Sequence, residues 1–341
     1  MPLVFFASTY TLPILAVCAL AFGGLWAWAL PVVVFGLLPL VELGLAGDHL
    51  NRSDEASRRQ NRSFDRLLYL AVPLQLGLVV ALGARASSLA LPELLGCVAS
   101  VGICCGAFGI NVAHELGHRA DKTQQRLAQV LLLTSLYMHF FVEHNRGHHA
   151  RVATPEDPAS ARYGEALFPF WARSIVGSWR SAWHLEATRL PGRIWSWQNA
   201  MVRYLVIQGA AIASFFLIFG SVGGLAFLGA AAVGILLLET VNYVEHYGLE
   251  RERSGDRWER VRPAHSWTSD RPLSRALLFE LTRHADHHAH PGRPYQVLRH
   301  FEDAPELPTG YAGMILLAFF PPLFRRVMDR QLFSERARLA A

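Results

Sequence analysis

Histidine is the residue whose number and spacing could do chemistry in this chain. There are 15 among 341 residues, and nine of them fall into four tight groups. His114 and His118 lie in Asn111-Val-Ala-His-Glu-Leu-Gly-His-Arg119, an i, i+4 spacing that sets both imidazoles on one face of a helix. His144, His148 and His149 lie in Glu143-His-Asn-Arg-Gly-His-His149. His246 stands alone in Asn242-Tyr-Val-Glu-His-Tyr-Gly248, and His284, His287 and His288 lie in Arg283-His-Ala-Asp-His-His288. Neutral imidazole is a good ligand for iron, copper, nickel and zinc. One ion takes roughly four to six ligands, so nine histidines are too many for one ion and enough for two. Zinc has no redox chemistry and its structural sites are normally four-coordinate. Two redox-active ions beside an apolar bundle point instead to O2 activation, with iron the leading candidate.

Each group also carries an acid: Glu115, Glu143, Glu245 and Asp286. Such carboxylates can accept the second imidazole N–H and fix the tautomer that presents the other nitrogen to a metal, and any one of them could also ligate directly. His49, His139, His184, His265, His290 and His300 lack comparable spacing and are read as structural or surface residues. His114-Glu-Leu-Gly-His118 also satisfies HExxH, the signature of a zinc protease with Glu115 as general base. That alternative leaves seven clustered histidines without a role.

The elements that position these groups are apolar. Hydrophobic residues make up 52% of the chain and charged residues only 17%, against about 25% in a typical soluble protein. Long uncharged stretches alternate with Arg-rich loops, the pattern of a polytopic membrane protein. Six spans are predicted, near residues 11–30, 31–47, 67–83, 94–113, 204–219 and 225–240, with the first broken from the second at Pro31. The first apolar segment lacks the basic flank and cleavage site of a signal peptide and is expected to remain as a span. Arg52, Arg58, Arg59, Arg62 and Arg66 crowd one loop, whereas the turns after spans one, three and five hold only Arg85. The positive-inside rule then places both termini and all four histidine groups on the cytoplasmic side. For the histidines to share that side, the apolar run Leu127 to Phe141 must lie as a re-entrant or interfacial helix rather than cross. Met314 to Phe324, broken by Pro321-Pro322, is read as interfacial too.

The net charge of +5 is carried by loop arginines with no basic stripe interleaved with aromatics, so it reads as topogenic and not as a nucleic-acid surface. Cys18, Cys97, Cys104 and Cys105 all lie in apolar segments and form no CxxC pair, which excludes a cysteine-ligated iron site within the chain. The expected fold is therefore one all-α integral-membrane domain over residues 1–341. Six transmembrane helices would carry a cytoplasmic helical cap that holds the histidine-rich site.

HELGHR at 114–119, EHNRGHH at 143–149, NYVEHYG at 242–248 and RHADHH at 283–288 resemble the motifs of the alkane 1-monooxygenases, part of the integral-membrane fatty acid desaturase and hydroxylase superfamily. Val152 to Arg162, Pro294 to Phe301 and Pro305 to Tyr311 are similar to that family as well, and the resemblance covers roughly residues 10 to 330. It implies that the nine histidines hold a non-haem di-iron centre in the bacterial inner membrane. It further implies that medium-to-long n-alkanes are hydroxylated by O2 to 1-alkanols, with electrons from reduced rubredoxin and a rubredoxin reductase upstream. Arg119 and Ala285 depart from the Lys and Ser usual in the family, and neither removes a proposed ligand. Hydroxylation of xylene-like alkyl aromatics or of fatty acids by the same superfamily is the alternative reading. On this reading His148→Ala or His287→Ala abolishes hydroxylation and lowers bound metal, while His184→Ala does neither; product formation and metal content per chain check it.

Overall fold

The computed structural model describes residues 1–340 and is built from helices, apart from a two-stranded hairpin pairing Arg253–Ser254 with Arg257–Trp258. Among the described residues, five helices are long and apolar enough to cross a bilayer: α1 (Leu3–Phe22), α2 (Gly24–Leu43), α3 (Ser63–Ala86), α4 (Leu91–Gly117) and α8 (Ala200–His246). Between α4 and α8 lie α5 (Lys122–Leu133), α6 (Phe140–Glu143) and α7 (Leu167–Arg189). Beyond α8 come α9 (His284–Ala289), α10 (Tyr311–Ala318) and α11 (Pro321–Ala340).

The first turn falls elsewhere than hydropathy suggests. Gly23 (φ 61°, ψ −151°) and Gly24 (φ 54°) reverse the chain between α1 and α2, whereas Pro31 lies inside α2. Both glycines are in the positive-φ region that side-chain-bearing residues avoid. Pro31 follows the 3-10 turn Gly24–Trp28, close enough to the helix start that its missing N–H is tolerated. The two helices are thus Leu3–Phe22 and Gly24–Leu43 rather than 11–30 and 31–47.

At 47 residues α8 would be about 70 Å long if straight, over twice the hydrocarbon thickness of a bilayer. It is not straight. Gly220 takes φ 68° and ψ −173°, and the chain folds back there: the rings of Phe215 and Phe227 stack at 4.2 Å although twelve residues apart. The second half of α8 then packs against α4 through small residues. A Cβ added at Gly102 would lie 2.5 Å from Val233 Cβ, and one at Gly234 would lie 2.6 Å from Cys105 Cβ. Close approach of this kind is how apolar helices associate where the hydrophobic effect is weak.

The run Leu127 to Phe141 is not one helix. Tyr137 N–H donates to Leu132 O, Leu136 N–H donates to Leu133 O, and Leu136 sits at φ 52°, so α5 closes in a Schellman-type cap before α6 begins. The C-terminal apolar run breaks at the proline pair, where α11 starts. Two apolar cores result. The larger lies among α1, α3, α4 and the second half of α8; the smaller gathers Tyr243, Tyr247, Trp267, Met314 and Phe324. Gly234→Val is expected to destabilise the protein by about 1–3 kcal/mol through overpacking of the α4–α8 seam. Gly209, which has open space around it, should tolerate Ala; thermal unfolding of the detergent-solubilised variants distinguishes the two.

Candidate metal centre

Four separate segments bring the nine clustered histidines together. His114 and His118 end α4, His246 ends α8, His284, His287 and His288 lie on α9, and His144, His148 and His149 follow α6. They assort into two groups whose ligand-type nitrogens lie within 4.8 Å of one another: His114, His118, His144, His149 and His287 in one, His148, His246, His284 and His288 in the other. In the first, Nε2 of His144 is 3.1 Å from that of His118 and 3.0 Å from that of His149, which is 3.1 Å from Nε2 of His287. In the second, Nε2 of His288 is 3.2 Å from that of His148 and 2.9 Å from that of His284, which is 3.4 Å from Nε2 of His246.

The local backbone decides the sorting. In an α-helix His144 and His148 would share a face, but residues 144–148 form a π turn, whose i→i+5 bonding returns His149 over His144 and rotates His148 into the other group. A second π stretch, Cys104–Ile110, sits just before the Asn111–Gly117 turn that carries His114. On α9, His284 and His288 share a face at i, i+4, and His287 points to the first group.

The donor set fits a metal ion. Bonds of about 2.0–2.1 Å from imidazole nitrogen to metal put neighbouring ligands roughly 3.0–3.4 Å apart, close to the separations found here. Burial, reinforced by neighbouring imidazoles, holds the pKa values of His144, His149, His284, His287 and His288 well below the ordinary histidine range, so their lone pairs are free to ligate. His148 differs: burial lowers its pKa, yet Asp157 outweighs burial and the net shift is upward. His148 donates its Nδ1–H to Asp157 Oδ2 at 2.9 Å, which turns Nε2 toward the second group. Asp157 is fully buried, and Ser160 Oγ donates to the same oxygen at 2.6 Å.

Asp157 is the acid that orients a clustered imidazole, and the sequence reading passed over it. Its signal lay in the Val152 to Arg162 stretch, nine residues beyond His148, outside the histidine motif. Three of the four acids expected in that role are occupied otherwise. Glu115 pairs with Arg119 at 2.7 Å, Glu143 with Arg151 at 2.8 Å, and Asp286 with His290 at 2.7 Å and Arg293 at 3.0 Å. Charge-assisted bonds from guanidinium groups take up Glu115 and Glu143, and Asp286 is shared between Arg293 and an imidazole outside the clusters. Glu245 touches an imidazole on its inner side: Oε2 is 3.2 Å from His284 Nε2, while Tyr311 OH donates to Oε1 at 2.6 Å. It belongs with the direct ligand candidates.

The remaining histidines join neither group. His139 packs on Tyr137, His265 bonds Glu259, and His184 is exposed. His49 and His300 stack at the surface near Asp270, whose second oxygen accepts from Arg283 at 2.8 Å. A narrow apolar cavity of about 90 Å³ runs between α2, α8 and α10, past Phe35, Leu38, Leu238 and Ile315, and ends on His114, His144, His284 and Glu245.

Apolar helices that end in two buried imidazole clusters define a membrane protein with a histidine-rich metal site. The model of the fatty acid desaturase family matches residues 89–318. The chain is 43% identical to alkane 1-monooxygenase 2 of Pseudomonas aeruginosa, over 89% of this chain and 83% of that protein. It is 39% identical to the alkane 1-monooxygenase of Acinetobacter baylyi, over 89% and 76%, and 27% identical to the xylene/toluene monooxygenase hydroxylase component XylM of Pseudomonas putida, over 92% and 85%. The chain belongs to the fatty acid desaturase family and, within it, to the alkane 1-monooxygenases. Asp157→Asn is expected to weaken metal retention by about 10–100-fold, the usual effect of losing an outer-shell partner; titration of the metal-loaded protein with a chelator measures it.

Proposed function

We propose that this chain hydroxylates the terminal carbon of medium-to-long n-alkanes with O2, at two iron ions held by the nine clustered histidines. The observation that carries the reading is the junction of cavity and imidazoles: an apolar slot with almost no polar lining leads directly to His114, His144 and His284. The names of the relatives agree with it. His114, His118, His144, His149 and His287 would hold one iron, and His148, His246, His284 and His288 the other, with Glu245 beside His284. Bound there, two irons would supply reduction of O2 and transfer of one oxygen atom to a C–H bond.

The balance of the reaction is RH + O2 + 2e⁻ + 2H⁺ → ROH + H2O. The chain's residues bind and orient for it. Phe35, Leu38 and Ile315 offer the substrate dispersion contacts and no hydrogen bond, so selection among alkanes rests on shape. A methylene distinguished by packing is worth only about 1–3 kcal/mol, and preference along an alkane series is therefore graded. The electrons come from a separate protein, in our reading rubredoxin served by its reductase. The free cysteines Cys97, Cys104 and Cys105 are buried in α4 and form no redox centre of their own.

The same reading makes the chain one membrane domain of six spans, counting α1 to α4 and the two halves of α8. The Arg-rich loop before α3 sets the termini and the metal centre on the cytoplasmic side of the inner membrane. The xylene/toluene relative favours a second reading, attack on the alkyl group of an aromatic. Membranes carrying the protein, given a rubredoxin system, should turn octane or hexadecane into the 1-alkanol faster than xylene into its benzyl alcohol, with about two irons per chain. One zinc per chain and no O2-dependent product would overturn the proposal in favour of hydrolytic chemistry at HExxH.

A further inference from the structure

Helix α7 divides its residues between two unlike faces. Phe170, Ser174, Ser178, Ala182 and Glu186 are buried against the rest of the protein. The opposite face carries Phe168, Ala172, Val176, Trp179 and Trp183, spaced by four, four, three and four, and most of it lies open: Phe168 is 51% exposed, Val176 47% and Trp179 41%. This apolar stripe does not stop at the helix end. Trp179 packs on Trp183 at 5.9 Å and Trp183 on Trp195 at 5.3 Å, and Trp195 and Trp197 are 76% and 61% exposed. At its other end Phe168 and Trp171 pack on Phe319, beside the exposed Phe320 and Leu323. Exposed Arg180 and Arg193 border the stripe, whereas Arg189 is held by Glu186 at 2.6 Å.

The height of α7 along the bundle is fixed by its buried contacts. Trp171 Nε1 donates to Thr240 Oγ1 at 3.1 Å, and Ser174 Oγ to Glu239 Oε2 at 2.5 Å. Those partners lie six and seven residues before the end of α8, about 10 Å inside the apolar helix. Near its C-terminal end, Glu186 Oε2 accepts from Ala200 N at 2.8 Å, where α8 begins. Helix α7 therefore joins the outer ends of both halves of α8, at the level where an apolar helix leaves the hydrocarbon. Leu205 and Val206, one to two turns into α8 from Ala200, are exposed as well.

We infer that α7 lies in the plane of the membrane, with Phe168, Val176 and Trp179 sunk into the boundary between headgroups and acyl chains and the bordering arginines on phospholipid phosphates. The inference rests on reading α1 to α4 and α8 as spans. Indole rings favour that boundary because one edge is apolar and the other carries an N–H, and arginine stems reach from it to the phosphates. The alternative occupant of an apolar stripe rimmed by arginine is an acidic soluble protein. The attachment of α7 to the outer ends of both halves of α8, an apolar helix long enough to span, favours the bilayer. The loop that carries the second histidine motif is braced on this same helix, through Arg146 to Glu186 at 2.6 Å and Arg151 to Ser181. Membrane seating of α7 thus sets the height of His144, His148 and His149.

The test places a nitroxide at Val176→Cys, at Leu76→Cys in mid-α3 and at Arg260→Cys in an exposed loop, each in a Cys18→Ala background and in phospholipid nanodiscs. Relaxation by O2, which concentrates in lipid, is compared with relaxation by a water-soluble nickel chelate. Positions 76 and 176 should both favour O2 severalfold over position 260. Quenching of tryptophan by headgroup-proximal brominated lipid should likewise fall when Trp179, Trp195 and Trp197 are replaced by Phe. If position 176 behaves like 260 while 76 behaves as lipid-embedded, the inference fails and the spans stand. If 76 is also aqueous, the membrane reading fails with it. A label at 176 that is aqueous until an acidic protein is added overturns the inference in favour of protein docking.

Discussion

The structure depends on one electrostatic constraint: eight of the nine clustered imidazoles point nitrogen at nitrogen across gaps of about 3 Å, and His114 stands within 4.8 Å of its group. Each ring nitrogen either carries a proton or offers a lone pair, and His148 has already committed its proton-bearing side to Asp157. Facing lone pairs in a low-dielectric interior repel, and a buried polar atom without a partner costs about 1–3 kcal/mol. Cations between the nitrogens remove that cost for all of them together. Ligation and folding are therefore linked, because the site exists only when four distant segments meet.

The rest of the molecule can be understood as what brings those segments together. Glycines at 102 and 234 let α4 and the second half of α8 approach closely, and the ends of these helices bring His114 to one histidine group and His246 to the other. Helix α9 is held by buried charge. Arg283, just before His284, donates to Asp270 Oδ1 at 2.8 Å, to Leu298 O at 2.9 Å and to Asp48 O at 2.8 Å. Arg275 pairs with Glu280 at 2.7 Å in the same layer. Pairs this deeply buried hold position more than they add stability, since desolvation offsets much of their attraction. Positioning is what a ligand-bearing helix requires.

The apolar and polar halves of the site do different work. Hydrocarbon has no group to recognise, so the cavity between α2, α8 and α10 guides by exclusion and contact. The imidazoles at its end need rigid carboxylates and guanidinium groups behind them, which only the polar layer outside the bundle can provide. Glu245 stands where the two meet, its carboxylate at the cavity end and between His284 and Tyr311.

The sequence by itself marked out the histidine clusters, because histidine spacing is a local property: i, i+4 on a helix is legible wherever it occurs. It also determined that the scaffold is apolar, since long uncharged runs have few other uses. Tertiary structure alone decided how the nine divide five and four, because a single π turn at 144–148 changes which face His148 occupies, and no residue type marks such a turn. It decided that Asp157 rather than Glu115, Glu143 or Asp286 orients a clustered imidazole, a choice made by which arginines, and for Asp286 also His290, fold against which carboxylates. The turn at Gly220 was legible between the apolar runs 204–219 and 225–240, but Gly23 and Leu136 turn the chain where hydropathy is flat, and backbone dihedrals are not read from hydropathy. The apolar stripe of α7 was hidden for a related reason: its serines and arginines dilute the apolar signal along the sequence, and only folding sorts them onto opposite sides.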